Sequence, residues 1–219
     1  QARAAAAEYL ASGVPVLVEE RVAMRRELSA LVARSPFGQG AAWPVVETVQ
    51  EDGICVTVIA PAPDLPAESA AAAQQLGLRL ADELGVVGVL AVELFETTAG
   101  ELLVNELAMR PHNSGHWSIE GSTTSQFEQH LRAVLDWPLG DTRARAPFTV
   151  MANLLGGPTT NLASTLPAAL EAVPNCSVHL YGKAARPGRK LGHVTALGDD
   201  LEETRDRARR AVAVLRGDA

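Results

Sequence analysis

The sequence predicts an α+β fold with a mostly antiparallel sheet, and three observations carry that prediction. The apolar content is 47% over 219 residues, enough to bury a sizeable core. Strand-like stretches come in blocks beside one another instead of alternating strictly with helices, as a parallel α/β sheet would require. Short turn signals, Glu51-Asp52-Gly53 and Thr97-Thr98-Ala99-Gly100, join neighbouring strand stretches as hairpin connections do.

The elements follow in order. The Ala-rich opening, Gln1 to Leu10, reads as a helix entered mid-chain; it lacks the basic start and long apolar centre of a signal peptide, so natural sequence is expected upstream. Ser12-Gly13 stops that helix, and the β-branched run Val14-Pro15-Val16-Leu17-Val18 predicts a buried strand ending at Glu19-Glu20. Residues 27–33, 45–49 and 54–59 predict an antiparallel meander, broken at Pro61-Ala62-Pro63. Ala, Leu and Gln on helical spacing predict a helix over 67–84, closed by Gly85. Strands are then expected over 86–95 and 101–106. The polar segment 110–123 has neither period and predicts a functional loop. Ser125-Gln126-Phe127-Glu128 is a capping box opening a helix that Pro138 and Gly140 end. Beyond a boundary at 141–147 come a strand at 148–155, a helix around 162–172, strands at 178–181 and 191–196, and a last amphipathic helix with Leu201, Ala208, Ala211, Val212 and Leu215 on one face.

Composition excludes several classes of function. A net charge of −7 disfavours a basic nucleic-acid-binding surface. The longest apolar runs, such as Val86 to Val92, fall far short of the roughly 20 residues that span a bilayer, so no membrane segment is expected. Cys55 and Cys176 stand alone in apolar runs, which argues against a disulfide framework or zinc site and for a reducing, cytoplasmic setting.

Four constellations could carry chemistry. If the hairpin turn centres on Ala99-Gly100, Phe95 faces Val104, Leu94 faces Asn105 and Glu93 faces Glu106. Two like charges about 4.5 Å apart repel by roughly 3–4 kcal/mol at an effective dielectric of about 20, and a divalent cation, with Asn105 beside it, would offset this. A solvated hairpin face in a shifted register is the plainer alternative. Second, Arg110-Pro111-His112-Asn113-Ser114-Gly115-His116-Trp117 gathers cation, imidazole and amide, able to hold an anion or move a proton. A structural loop with histidines on backbone carbonyls is the alternative there, and His130 and His179 read as packing residues. Third, the two lysines of the chain, Lys183 and Lys190, share one loop with Arg186 and Arg189 around a Pro-Gly turn, a phosphate-type anion site or else a solvated basic turn. Fourth and weakest, Glu19 ends the first strand and Glu27 follows eight residues later, where a carboxylate could accept ribose hydroxyls.

These pieces in this order resemble the ATP-grasp superfamily, and within it the N5-carboxyaminoimidazole ribonucleotide synthase family. The resemblance rests on Val16-Leu17-Val18-Glu19-Glu20 as a hinge strand, Val87 to Glu93 and Val104 to Ala108 as metal-ligand strands, and the Arg110–Trp117 and Arg186–Lys190 loops. It implies an ATP-grasp C-terminal lobe: residues 1–20 as the tail of the smaller lobe, 21–145 as the large lobe, and 146–219 as a small α+β, hybrid-motif-like subdomain. It also implies that Glu19 and the hinge backbone face adenine, that Glu27 holds the ribose, and that Glu93 and Glu106 bind Mg²⁺ on the ATP phosphates beside Asn105. Arg110 and His112 would sit at the bicarbonate and carboxyphosphate chemistry, His112 being the candidate for a proton role, with Asn113 and Ser114 shaping the loop. Lys183, Arg186, Arg189 and Lys190 would receive the phosphate of 5-aminoimidazole ribonucleotide. The implied reaction is ATP-driven carboxylation of that nucleotide by bicarbonate in purine synthesis, by a homodimer. The family's nucleotide-fold domain and its Gly-rich loop with lysines do not occur in this sequence, so a missing N-terminal half is the implied partner and the 219 residues alone are expected to be inactive. Two alternatives stand: another ATP-grasp carboxylate-amine ligase of purine metabolism, such as a formate- or glycine-using enzyme, and a non-catalytic nucleotide-binding fragment.

Overall fold

The computed structural model describes residues 2–159 and 161–218. Its centre is one continuous antiparallel sheet in the order β6-β5-β1-β3-β4-β7-β9-β8, with short β2 alongside β1. The strands are β1 (Met24–Arg34), β2 (Gly40–Ala42), β3 (Val46–Glu51), β4 (Ile54–Ala60), β5 (Gly88–Thr97), β6 (Leu102–Ala108), β7 (Phe148–Leu155), β8 (Cys176–Leu180) and β9 (Lys190–Gly198). The helices are α1 (Ala2–Ala11), α2 (Ala67–Glu83), α3 (Ser118–Gly121), α4 (Gln126–Val134), α5 (Leu162–Ala172) and α6 (Leu201–Arg216), with a 3₁₀ turn at Asn113–Gly115.

Side-chain alternation divides the sheet into two faces. Leu28, Ala30 and Val32 of β1, with Leu90, Val92 and Leu94 of β5, pack under α2. The same face continues through Ile59, Val150 and Ala196 to α6. The other face carries Glu27, Ser29 and Leu31 of β1 and Ala91 and Glu93 of β5. Trp43, Trp117 and Met151, all buried, close that side. The sheet therefore places an apolar layer under two long helices, while its opposite face is apolar where the tryptophans cover it and polar around Glu27, Ser29 and Glu93.

Local chemistry sets the element ends. Asp52 and Gly53 both take positive φ in the β3–β4 turn, the conformation that a two-residue hairpin loop favours. Ser125 accepts a hydrogen bond from the Glu128 amide and Asp200 from the Glu203 amide, capping α4 and α6.

Three expectations need correction. Residues 14–18 form no strand: Leu17 and Val18 are 82% and 74% exposed, since no strand among the described residues offers that run a ladder. The segment 110–123 is not a bare loop but folds into the 3₁₀ turn and α3, burying Ser114, Trp117 and Ser118. In the β5–β6 hairpin, Phe95 pairs with Leu103 and Leu94 with Val104, one residue off the expected register; a bulge between Leu94 and Glu93 then brings Glu93 opposite Glu106 as expected. β7, the first strand of the segment 146–219, pairs with β4, so that segment extends the same sheet. Among the described residues no helix is long and apolar enough to cross a membrane, and both cysteines are free.

Candidate active site

A cleft of ≈690 Å³ opens on the polar face of the sheet. Strand pairing builds it: Ser29 of β1 lies directly across from Glu93 of β5, and Glu27 sits two residues along the same face. Asn105 lines the rim from β6, His112, Asn113 and Ser114 come from the 3₁₀ turn, and Lys190 enters from the start of β9. Of the residues singled out in the sequence, Glu27, Glu93, Asn105, His112, Asn113, Ser114 and Lys190 thus share one cavity, with Glu106 facing Glu93 from β6.

Charge in the cleft is unbalanced toward carboxylates. Partial burial, then Glu106 and Glu27, push the Glu93 carboxyl above its ordinary value, while Lys190 and Arg110 pull the other way. Burial, helped by Arg110 and Lys190, pushes the His112 imidazole down, favouring the neutral ring. Its Nε2 lies 3.5 Å from Glu93 Oε1, and its Nδ1 lies 2.9 Å from Ser114 Oγ. The Ser114 amide also donates to Nδ1 at 3.4 Å, so Nδ1 is the acceptor and Nε2 carries the proton toward the carboxylate. Ser114 Oγ in turn lies 2.8 Å from Ser29 Oγ; both serines are buried, so the Ser114 hydroxyl orients the histidine.

The donor set fits a hard divalent cation that keeps other ligands. Among the described residues no three His, Cys, Asp or Glu side chains converge as a cage. Two facing carboxylates, one driven up by its neighbours, are what Mg²⁺ meets where waters and phosphate oxygens complete its shell.

The remaining predicted residues lie outside this cleft. Glu19 lines a second cleft that shares Met24 and Asn105 with the first. Arg110 is exposed and donates to its neighbour's carbonyl, Pro111 O, at 3.2 Å. Lys183, Arg186 and Arg189 are exposed on the loop before β9. Lys183 Nζ sits 5.1 Å from the centre of the Tyr181 ring, and Arg189 Nη1 donates to Ala184 O at 3.3 Å. Gly156 forms a bridge to Pro187, and a Cβ at Gly156 would collide with Arg186 O, so that loop is tied closely to the end of β7.

Sequence reasoning missed an aromatic column behind the cleft. His116 stacks on Phe127 at 5.6 Å and on His193 at 5.1 Å, and His193 stacks on His179 at 4.6 Å. His193 is buried within this column, and His179 does more than pack, pairing with Glu120 at 2.7 Å. Burial pushes His116 down to about 4 and His193 down to about 3, which keeps both rings neutral. The available signal was the β8–β9 pairing, which sets His179 opposite His193. His130 accepts the Val89 amide at 3.1 Å, a packing role as expected.

Two stretches of the chain match known families. The family model for the ATP-grasp domain matches residues 1–127, and that for the phosphoribosylaminoimidazole carboxylase C-terminal domain matches residues 149–207. The N5-carboxyaminoimidazole ribonucleotide synthase of Mycobacterium tuberculosis is 69% identical over 210 residues, 94% of this chain and 49% of that protein. The one from Corynebacterium ammoniagenes is 53% identical over 93% of this chain and 51% of its own length. Among solved structures, N5-carboxyaminoimidazole ribonucleotide synthetase from Thermus thermophilus superposes with a TM-score of 0.85 at 41% identity, covering 98% of this chain and 57% of that one. The Aspergillus clavatus synthase in complex with ADP and 5-aminoimidazole ribonucleotide gives 0.82 at 35% identity, over 90% of this chain and 53% of its own. The chain spans about half the length of the curated relatives it matches. With a family model over more than half of its residues and the sheet that model implies, the chain belongs to the ATP-grasp family.

Proposed function

We propose that this chain is the C-terminal portion of an N5-carboxyaminoimidazole ribonucleotide synthase, a ligase that uses ATP and bicarbonate to carboxylate 5-aminoimidazole ribonucleotide, giving ADP and phosphate. The observation that carries the reading is the Glu93–Glu106 pair opening on a cleft that also holds His112 and Lys190. Glu93 and Glu106, with Asn105 beside them, would hold Mg²⁺, which supplies charge neutralisation to the ATP phosphates. Glu27, on the same face, would take the ribose hydroxyls and Glu19, in the adjoining cleft, the adenine side. His112, neutral with its Nε2 proton toward the site, and Arg110 would serve the bicarbonate and carboxyphosphate step, in which bicarbonate attacks the γ-phosphoryl group and the nucleotide's exocyclic amine captures the carbon. Asn113 and Ser114 shape that turn. Lys190, already in the cleft, would meet the nucleotide phosphate first, with Lys183, Arg186 and Arg189 folding over from their exposed loop.

The reading carries a division of labour: 1–20 as the tail of the smaller lobe, 21–145 as the metal and nucleotide lobe, and 146–219 as the phosphate-binding part. It also carries a requirement for the half of its relatives that this chain does not span, and a cytoplasmic setting. A homodimer is proposed as well, supported by the exposed Phe127, Leu131, Val134, Leu135 and Trp137 along and just beyond α4. The test is phosphate release by the full-length enzyme, which should require ATP, bicarbonate and 5-aminoimidazole ribonucleotide together. Equal turnover with formate or glycine in place of bicarbonate would overturn it in favour of another ligase of the family. The inert-fragment alternative predicts no thermal shift of this chain with millimolar ADP and Mg²⁺.

A further inference from the structure

His112 has an extended backbone, φ −125° and ψ 156°, yet it belongs to no strand. Its amide and carbonyl are partly buried and need partners. A single side chain supplies one to each, and the carbonyl also accepts from the Gly115 amide at 3.0 Å. The His112 N–H donates to Gln126 Oε1 at 2.8 Å, and Gln126 Nε2 donates to His112 O at 2.8 Å. This is the two-bond pairing that a neighbouring strand would offer, made instead by a carboxamide reaching from the first turn of α4.

The second Nε2 proton is used as well, donated to His116 Nδ1 at 2.9 Å. Gln126 is fully buried, so none of its bonds is shared with solvent. Its backbone amide donates to Ser118 Oγ, which donates to Gly115 O, so the far end of the same turn is tied to the same residue. A Cβ at Gly115 would collide with Gln126 Oε1 and crowd Leu31 Cδ2, which shows how closely the carboxamide lies on the turn. A buried carboxamide is tolerated only with its hydrogen bonds made, and here each polar atom of the side chain has a partner on the turn, so its position is tied to that of His112.

We propose that Gln126 is a positioning residue, its carboxamide clamping the His112 backbone so that the imidazole stays aimed at Glu93. This rests on the reading of His112 as part of the reaction centre. The clamp acts on the backbone, and Ser114 then sets the ring; freeing the backbone would let His112 swing away although every group in the cleft remained. A displacement of about 1 Å at such a site costs about 100-fold in rate.

The experiment uses the full-length enzyme with Gln126→Met, which keeps length but removes donors and acceptor, and Gln126→Glu, which keeps an oxygen for the His112 amide. Gln126→Met should speed hydrogen exchange of the His112 amide by about tenfold or more, with exchange in β1 and β5 unchanged. Its kcat should fall about 100-fold with the KM for ATP within about threefold of wild type. Gln126→Glu should keep the amide protected, yet lose kcat because the His112 carbonyl and His116 Nδ1 then face a carboxylate; it carries the test should Gln126→Met not fold. Unchanged protection of the His112 amide in Gln126→Met would overturn the clamp. Wild-type kcat in both variants beside an inactive His112→Ala would overturn the positioning role. Full activity in His112→Ala would instead sink the reading of His112 itself, while the exchange measurement would still decide whether the clamp exists.

Discussion

Glu93 and Glu106 face each other across β5 and β6 because the ladder slips by one residue between Leu94 and Glu93. Without the slip, the register set by the turn would place Glu93 opposite Asn105. The bulge therefore converts a mixed amide–carboxylate pair into two opposed carboxylates, beside Glu27 on the next strand. Bulges recur next to functional sites because they re-aim one side chain without disturbing the rest of the sheet. The opposed charges are a cost in the free chain and an asset once a cation is present.

Replacing Glu106 by Gln should therefore stabilise the free chain while abolishing its response to ligand. Glu93 is held above the ordinary carboxylate range by burial, Glu106 and Glu27, so its stabilising share is present below that range and is lost as pH rises through it. Glu106 is exposed, so solvent screens its repulsion of Glu93 well below the roughly 3–4 kcal/mol of a close, unscreened pair, and removing its charge should raise stability at pH 7 by about 0.2–1 kcal/mol. Urea unfolding of Glu106→Gln and wild type would measure it, and a thermal shift with ADP and Mg²⁺ should disappear in the same variant. A destabilised variant that still responds to ligand would contradict both halves.

The sequence-level reading succeeded where the determining interactions are local and failed where they are not. The strands expected over 27–33 and 86–95, the Asp52-Gly53 turn and the Ser125 cap depend on residues a few positions apart, and all are legible in order. The bulge is invisible to a pairing sum counted from the turn, because one extra residue changes the sum without changing composition. The strand expected at 14–18 failed for a related reason: an apolar β-branched run calls for a partner, and nothing local says where that partner is. The histidine column draws His116, His179 and His193 from separate elements, so no spacing rule could unite them before β8 and β9 were paired. Gln126 was seen as part of a cap; its side chain's reach back to His112 across the turn was not.

That column makes stability depend on pH on the acid side. His116 and His193 sit at about 4 and about 3, against 6.5 in the unfolded chain. The unfolded state thus binds more protons between those values, and the stability these rings contribute is present above pH 6.5 and lost as pH falls toward 4. Each ring adds a slope of about 1.4 kcal/mol per pH unit in that window, or about 2.7 for the two, less whatever solvent reaches them. Urea midpoints from pH 7.5 to 5 would show the fall. His193→Phe, which keeps a ring in the stack, should flatten the slope by about half; an unchanged slope would assign the acid lability elsewhere.

Lys190 and Lys183 should differ sharply despite lying in one basic loop. Lys190 enters the cleft and acts on Glu93 and His112, while Lys183 is exposed over Tyr181. A charge-assisted hydrogen bond is worth about 1.5–3 kcal/mol, so Lys190→Met should weaken binding of 5-aminoimidazole ribonucleotide to the full-length enzyme by about 10- to 100-fold. Lys183→Met should cost less, since its cation works from solvent. Calorimetric titration of the two variants decides the order, and equal losses would overturn it.

Arg26 and Glu96 form an ion pair on the α2 side of the sheet, opposite the cleft. Arg26 on β1 pairs with buried Glu96 of β5 and, at 3.1 Å, with Glu47 of β3, and it donates to Pro63 O in the connection to α2. Burial works against the charge, but Glu96 and Glu47 outweigh it and hold the guanidinium above its ordinary value. The side chains are only 12% and 5% exposed, so removing Glu96 leaves a cation with half its partners in a site that water barely reaches. Glu96→Leu should cost about 3 kcal/mol, near the lower end for breaking a buried pair because Glu47 remains. The double variant Arg26→Met with Glu96→Leu should recover most of that loss, since two apolar side chains need no solvation. A double-mutant cycle in urea measures the coupling. Simple additivity of the two single losses would mean that the pair, for all its burial, holds nothing together.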